Sequence, residues 1–343
     1  MVNLLNLAVS VDSHVLVFGS SGAGKTTLIR NMLSSFMSDE YSVIVFDPMR
    51  LYEEHCDIHA PLPIGLLEVK DRLVDIVIEA LISHYRSERY VISPMMEEML
   101  TKIVHSGAKT IDEVLQRLEK IANTSTRQDI VLSATALKRR VSYLSCWIFE
   151  KTHRLLRELR EGKYRGLVVG LDTSFLNDMQ RVVYTLSVIE YTYTSSQGII
   201  YVVDEAHLLL GRSQRALTEY LRLGRNFRKL FILITHSKRD IPETLLDVIR
   251  IIVEFPTIRT LGIIPLGTAK IHILSRSRYI NNTFIHVDRT LRKRRGKSFR
   301  RILEKSRPVL CEGICCIDDL LRRSLVDRKL GSKLLRLIEE ISI

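Results

Sequence analysis

The chain of 343 residues holds no stretch near the roughly 18 uninterrupted apolar residues that a membrane-spanning helix requires. Its N-terminus, Met1-Val2-Asn3-Leu4-Leu5, lacks the charged and cleavable parts of a signal peptide. These two absences lead to the expectation of a cytoplasmic protein. Cysteine is scarce, and five residues at positions 56, 146, 311, 315 and 316 show no paired spacing, which argues against a disulfide framework. Cys311, Cys315 and Cys316 do not make a metal pattern, because two are adjacent and no histidine is near them. An apolar face is expected there, and no structural metal. Internal repeats and low-complexity tracts are also missing. What is present, 46% apolar residues with 7% aromatics, suits a packed core in one large or two ordinary domains.

The strongest local pattern is Gly19-Ser20-Ser21-Gly22-Ala23-Gly24-Lys25-Thr26, preceded by the apolar run from His14 to Phe18 and followed by Thr27-Leu28-Ile29. A buried strand that delivers the chain to a tight turn, with a helix starting directly after it, aims backbone N–H groups and the positive end of the helix dipole at one phosphate chain. Glycine at 19, 22 and 24 permits the turn and the close approach, Lys25 reaches the outer phosphates, and the Thr26 hydroxyl coordinates magnesium. Every fixed position of a phosphate-binding loop is filled, so residues Gly19 through Thr27 are expected to bind a nucleoside triphosphate with Mg2+.

Positive charge is in excess and unevenly placed. The formal net charge is +12, and between Arg289 and Arg307 ten Lys/Arg stand against the single Glu304, so this window carries +9 and the remainder +3. Such a run is a solvated face or a basic arm. In a nucleotide-hydrolysing protein it also suggests contact with a polyanion, nucleic acid above all.

Segments 14–18 and 41–46 read as buried strands around a helix over 26–38, a βαβ beginning stopped at Asp47-Pro48. From about 61 to 163 apolar residues recur three and four apart, which predicts helices over 67–85, 95–105, 111–122 and 134–149. Ser93-Pro94 and Thr110-Ile111-Asp112-Glu113 read as helix starts. This is a helical insertion between the second and third core strands. The sheet resumes with 166–171 ending at Asp172, 198–203 ending at Asp204, 229–234 ending at Thr235-His236, and 249–255. In open parallel sheets ligands sit at the carboxyl ends of strands, which places the loop, Asp47, Asp172, Asp204, Glu205 and His236 on one rim. Beyond Pro256 come a short hairpin over 263–275, the basic segment and an amphipathic helix near 333–341. The expected division is a core over 1–286 and a basic extension over 287–343.

Asp204-Glu205, following four apolar residues, supplies the second half of a nucleotide-hydrolysing site. The first carboxylate helps hold the hydrated magnesium and the second polarises water aimed at the γ-phosphate. Asp204-Glu205-Ala206-His207 also spells the motif of one helicase superfamily, which needs a second motor domain that the chain has no room for. An ABC-type reading, with His236 as its switch histidine, lacks the Leu-Ser-Gly-Gly-like motif. Leu186-Ser187-Val188-Ile189 has neither glycine, and Thr194-Ser195-Ser196-Gln197-Gly198 has one in the wrong place.

The succession of phosphate loop, Val-Phe-Asp-Pro strand end, helical insertion, Gly-Leu-Asp-Thr-Ser strand end, Asp-Glu-Ala-His and Gly224-Arg225-Asn226-Phe227 before a last core strand resembles the HerA/FtsK superfamily of ring-forming DNA-pumping ATPases. The likeness covers about residues 11 to 256 and is greatest to HerA-like members. It implies a RecA-like α/β P-loop NTPase core with a mainly parallel sheet, a helical insertion and a basic C-terminal extension. It further implies that Lys25 and Thr26 bind phosphate and magnesium, Asp204 supports the magnesium, and Glu205 is the catalytic base. Arg225 becomes the candidate for an arginine acting on a neighbouring subunit's nucleotide, or else a surface cation among Arg222, Arg228 and Lys229. His236 stands where the family usually has glutamine and can hydrogen-bond the γ-phosphate or the attacking water, in a pH-dependent way. After Asp47-Pro48 the family tends to continue His-Gly-Glu-Tyr, whereas Met49-Arg50-Leu51-Tyr52 keeps only the tyrosine, so Asp47 is given no catalytic role. The barrel that precedes the motor in cellular HerA proteins is expected to be absent, since the first core strand begins near residue 14. The implied function is an ATP-driven translocase of double-stranded DNA acting as a homo-hexameric ring, with a nuclease or other DNA-processing protein as a further partner. The alternative is a nucleotide-dependent switch or assembly ATPase whose basic tail binds a protein or RNA.

Overall fold

The computed structural model describes residues 4–60, 70–85, 92–108, 110–144, 154–210, 215–255, 268–275 and 278–286. Among them, one sheet is built from β1 His14–Phe18, β2 Tyr41–Asp47, β3 Ile58–Ala60, β4 Val168–Asp172, β5 Gly198–Val203, β6 Lys229–Thr235, β7 Ile249–Glu254, β8 Thr268–Ser275 and β9 Arg278–His286. The helices are α1 Leu4–Val11, α2 Lys25–Ser34, α3 Lys70–Tyr85, α4 Pro94–His105, α5 Ile111–Thr124, α6 Gln128–Val141, α7 Arg154–Arg160, α8 Asp178–Tyr193, α9 Arg215–Gly224 and α10 Glu243–Leu246. Strand order is β3-β4-β2-β5-β6-β1-β7-β8-β9. From β3 to β7 all pairings are parallel, and β8 and β9 add an antiparallel flank. The chain divides into two units, Met1–Arg295 and Gly296–Ile343, and all of the second lies outside the described residues.

The central parallel strands read as nearly continuous apolar runs because both faces of the sheet are covered. Alternate residues enter two separate cores. Val15, Val17, Val43, Val45, Ile200, Val202 and Ile232 pack with α1 and α2. Leu16, Phe18, Ile44, Phe46, Tyr201, Val203 and Leu233 pack with the helices of the insertion and with α8 and α9. The insertion is therefore part of the main core. Its helices begin where their caps dictate: the Ser93 side chain accepts the Met96 N–H and the Thr110 side chain accepts the Glu113 N–H.

Three expectations are corrected. The insertion does not lie between the second and third strands, because Ile58–Ala60 already forms a third strand, paired with β4, before it begins. The hairpin is not contained in 263–275: Thr268–Ser275 is one arm and Arg278–His286 the other. The fourth insertion helix runs over Gln128–Val141, closer to the N-terminus than 134–149. The basic segment at 289–307 and the helix at 333–341 lie outside the described residues.

The N-terminal ends of β1 and β6 are joined by buried polar groups. His14 is fully buried, with Nε2 2.7 Å from the Leu221 carbonyl and Nδ1 3.2 Å from the Phe231 N–H. Nδ1 must accept from the amide, so Nε2 carries the proton and donates to the carbonyl, and the ring is neutral. Burial drives the His14 pKa from 6.5 down to about 4, with Arg225 adding to the fall and the Leu221 bond opposing it. The Lys229 ammonium, also wholly buried, donates to the Ser195 and Gln197 carbonyls at 2.8 and 2.6 Å. Lys229 is therefore no surface cation, and burial followed by Arg228 brings its pKa down to about 8.

The His14 shift has a defined consequence. Between pH 6.5 and about 4 the unfolded chain binds a proton that the folded chain refuses, so stability falls as pH drops through that window. The full loss is about 3 kcal/mol. Chemical denaturation at a series of pH values should show this decline, and His14→Gln, which keeps a donor and an acceptor but cannot charge, should flatten it. An equal slope in the variant would place the acid sensitivity elsewhere.

Candidate active site

The phosphate loop sits between a strand with no exposed residue and a helix that starts at once. β1 ends at Phe18, whose carbonyl accepts the Phe255 N–H at 2.9 Å, and Phe255 lies directly beneath the loop. A side chain at Gly19 would bring its Cβ within 2.5 Å of the Phe255 Cβ, so only glycine lets the two backbones approach. Gly24 takes φ 109°, a conformation that side chains rarely adopt, and hands the chain to α2 with no side-chain cap. The first-turn amides of α2 are thus left for an anion rather than a capping residue. Lys25 Nζ donates to the Gly19 and Ser20 carbonyls at 2.6 and 3.0 Å, across the mouth of the loop. Burial lowers the Lys25 pKa, against the pull of Asp204 and Glu205.

β6 inserts between β1 and β5, so its end separates the phosphate loop from Asp204 and Glu205. The two sides are nevertheless connected. Tyr52, fully buried, donates its hydroxyl to Asp204 Oδ2 at 2.6 Å, and the same hydroxyl meets the Thr26 side chain. Burial, with the adjoining Asp204, raises the Tyr52 pKa well above 10, so it remains a donor. Asp204 is pushed up by burial, only partly offset by Tyr52 and by the Glu205 amide that bonds Oδ1 at 2.9 Å. It makes no ion pair among the described residues.

Tyr52 is held from below. Asp47, buried at the end of β2, accepts the N–H groups of Leu51 and Tyr52 at 2.8 and 2.9 Å and that of Met49 at 3.3 Å, and lies 3.1 Å from His59 Nε2. Burial raises the Asp47 carboxyl, but His59 and these amides outweigh it and the net shift is downward. Arg30 of α2 donates to the Leu51 carbonyl at 2.7 Å, tying the same loop to the helix that carries Thr26. Tyr52 was not among the expected functional residues. The signal that pointed to it was its survival as the last letter of an otherwise altered His-Gly-Glu-Tyr stretch.

Glu205 adopts a left-handed backbone, φ 54° and ψ 39°, at the turn out of β5. A non-glycine residue held there costs of order 1 kcal/mol and marks a position where orientation matters. Its Oε2 lies 3.0 Å from His236 Nε2 and 3.2 Å from His207 Nδ1, with the two rings 5.8 Å apart. His207 first, then His236, hold Glu205 below the ordinary carboxylate range against the effect of burial, and Glu205 raises His207 in return. Glu205 is thus an anion between two imidazoles. His236, expected to hydrogen-bond the γ-phosphate or the attacking water, lies against Glu205, and His207 joins it.

Of the other rim residues, Asp172 accepts from Arg50 Nε at 2.6 Å and from the Ser174 hydroxyl at 2.7 Å. Arg225 is not with its own chain's phosphate loop. It opens a single-turn helix, Arg225–Phe227, before β6, at the opposite ends of the strands beside His14. Its guanidinium makes no hydrogen bond or ion pair with a described residue, and exposed Leu223 and Phe227 flank it.

These groups fit a polyphosphate with a divalent cation. The helix start is uncapped, a lysine spans the loop, and next to Thr26 lies a carboxylate whose charge burial disfavours and a cation would relieve.

A family model described as Helicase HerA, central domain, matches residues 4–190, more than half of the chain. No curated protein sequence matches. Among solved structures, VirB4 of Thermoanaerobacter pseudethanolicus aligns with TM-score 0.54 at 14% identity, over 80% of this chain and 89% of that one. The bacterial conjugative coupling protein TrwB, in a trigonal form with sulphate, aligns with TM-score 0.60 at 12% identity, over 82% and 87%. TrwB in complex with ADP and Mg2+ gives 0.59 at 12% identity over the same shares. At these identities the structures establish the fold. Among the described residues no helix is long and apolar enough to cross a membrane.

The Tyr52 hydroxyl gives this site a specific test. Tyr52→Phe keeps the ring in its core and removes one hydrogen bond to a charged group, worth about 10-fold or more. Nucleotide affinity should hold while the Mg2+ concentration for half-maximal turnover rises by that factor. An unchanged Mg2+ requirement would reduce Tyr52 to a packing residue.

Proposed function

The chain belongs to the family of the helicase HerA central domain, and on that premise we propose that it is an ATP-driven motor that moves double-stranded DNA as a ring of identical subunits. It is a P-loop ATPase of the HerA/FtsK type. The observation that carries the reading is the convergence of the phosphate loop, Asp204 and Glu205 at one rim, with Tyr52 joining Thr26 to Asp204.

Bound ATP and Mg2+ supply the phosphoanhydride to be cleaved and the cation that neutralises charge developing on it. Residues Gly19 to Thr27 hold the phosphates through amides and Lys25, which turns from the loop carbonyls to the anion. The Thr26 hydroxyl and Asp204 hold the cation, and Tyr52 keeps these two groups in one place. Glu205, ionised, orients water and takes its proton, while His236 steadies the carboxylate.

The ring is supported by what the subunit leaves over. Arg225 stands at the opposite ends of the strands, half-buried and unpaired, beside exposed Leu223 and Phe227. An apolar and cationic surface of this kind suits a neighbouring copy, whose phosphate Arg225 would stabilise. DNA is supported by the +9 window at 289–307, within the extension that we assign to 287–343. A structural relative is a plasmid coupling protein that binds ADP and Mg2+.

ATP turnover should rise severalfold with long duplex DNA, fall steeply with salt because phosphate contacts release counterions, and vanish in Lys25→Ala and Glu205→Gln. Turnover indifferent to DNA at low salt, in a preparation that forms rings, would sink the translocase reading.

Arg225→Ala should cost on the order of 10³-fold in turnover. Mixing Arg225→Ala subunits with Lys25→Ala subunits should restore activity that neither has alone, since the first keep intact phosphate loops and the second supply arginines. Absence of recovery in mixed rings would remove Arg225 from the hydrolytic machinery.

A further inference from the structure

We propose that Glu205, His207 and His236 form a site for a transition metal of the zinc class, separate from the nucleotide's Mg2+, and that metal held there withdraws Glu205 from water. The binding claim stands on geometry alone. Its inhibitory consequence rests on the role proposed for Glu205.

Glu205 Oε2, His207 Nδ1 and His236 Nε2 all lie within 4.8 Å of one another. The two edges that meet at the carboxylate measure 3.0 and 3.2 Å. In a tetrahedral zinc site with bonds of about 2.0–2.1 Å, donor atoms stand about 3.3–3.4 Å apart. Those two edges are already near this spacing, and closing the third, between the imidazole nitrogens, from its present value within 4.8 Å completes a binding triangle. Two imidazoles and one carboxylate are donors for zinc-like metals, whereas Mg2+ and Ca2+ prefer oxygen alone.

His207 Nδ1 is buried and has no hydrogen-bond partner, although it lies beside Glu205 Oε2. An aligned hydrogen bond would be the expected reason for a histidine to sit there, and it is missing. A metal shared with Glu205 and His236 accounts for the position, because it satisfies all three donor atoms. The supports are firm. Glu205 is fixed by its left-handed turn, His207 lies in the single-turn helix Ala206–Leu208 closed by Leu208 N to the Glu205 carbonyl at 3.0 Å, and Asp240 accepts the Thr235 hydroxyl at 2.6 Å next to His236. The His236 side chain is 47% exposed, which leaves an approach for the ion and a place for water as fourth ligand.

A metal on Oε2 occupies the oxygen that would take the proton, while the phosphate loop contributes nothing to the new site. Zinc should therefore stop turnover without preventing nucleotide binding.

The test uses Co2+ as a spectroscopic stand-in on the full chain. We expect one equivalent with visible ligand-field bands and no near-ultraviolet thiolate band, which separates this site from any bound by the cysteines. Zn2+ should displace it. His207→Ala and His236→Ala should each weaken it by about 10-fold or more, since even outer partners of metal ligands are worth about 10–100-fold. A fluorescent ATP analogue should bind the zinc-loaded and metal-free protein alike, and loss of its binding with zinc would overturn the inhibitory claim. Identical cobalt spectra and stoichiometry in the wild type and in the His207→Ala, His236→Ala double variant would overturn the site. A chain without ATPase activity would leave the cobalt result standing, so the two readings fail separately.

Discussion

A single buried hydroxyl joins the two halves of this site. Tyr52 and Asp204 are 152 residues apart in sequence and 2.6 Å apart in the fold. Without that bond, Asp204 would face burial with only its neighbour's amide for support, and the side of the site away from the phosphate loop would be free to drift from Thr26. The bond itself depends on Asp47, which gathers the amides of Met49, Leu51 and Tyr52 into one turn. A carboxylate accepting several N–H bonds is strongly held as an anion, so the turn is braced by a buried charge. The expectation that Asp47 has no catalytic role is compatible with this structural one.

The charges around the site are set in opposition. Burial raises Asp204 and lowers Lys25, so each charge is least comfortable alone. Glu205 moves the other way because two imidazoles adjoin it. The result is one carboxylate that calls for a cation and another already provided for, side by side on one strand end. Opposed shifts of this kind suit the division of labour proposed for the two acids, one holding a cation and the other handling a proton. The same imidazoles that keep Glu205 ionised also give it the donor set of a metal site.

Much of this was legible before any coordinates. The strands at 14–18, 41–47, 168–172, 198–203 and 229–235 are short, mainly apolar and end at or next to polar residues, the signature of a sheet covered on both faces. The phosphate loop is local in sequence and needs no tertiary information. What escaped notice lacked a periodic signal. Ile58–Ala60 is a three-residue strand at the sheet edge, below the length at which alternation can be read. Helix α8 is buried on nearly every side, so its apolar residues show no single face. The hairpin was misplaced because its second arm, Arg278–His286, is rich in polar residues. The sequence placed Glu205 and His236 on one rim, but their contact and the part of His207 could not be read, since they depend on β6 lying next to β5.

That same placement of β6 constrains assembly. The strand is seven residues long, from Lys229 to Thr235, and pairs in parallel with β1 over Ile232 to Thr235. At about 3.3 Å per residue this separates its ends by about 20 Å. Arg225 precedes one end and His236 follows the other, and no arginine side chain spans such a distance through a filled core. If Arg225 ever meets a phosphate, the phosphate belongs to a different chain. An arginine that can serve only a neighbour makes sense in a closed ring, where each subunit has a neighbour on both sides and no site is left incomplete. In the proposed ring β6 would serve two sites at once: the His236 that follows its far end lies against Glu205 in its own subunit, and the Arg225 that precedes its near end would face the next. A shift of this strand against β1 would then be felt at both, a mechanical route by which such a ring would couple one hydrolysis event to the next.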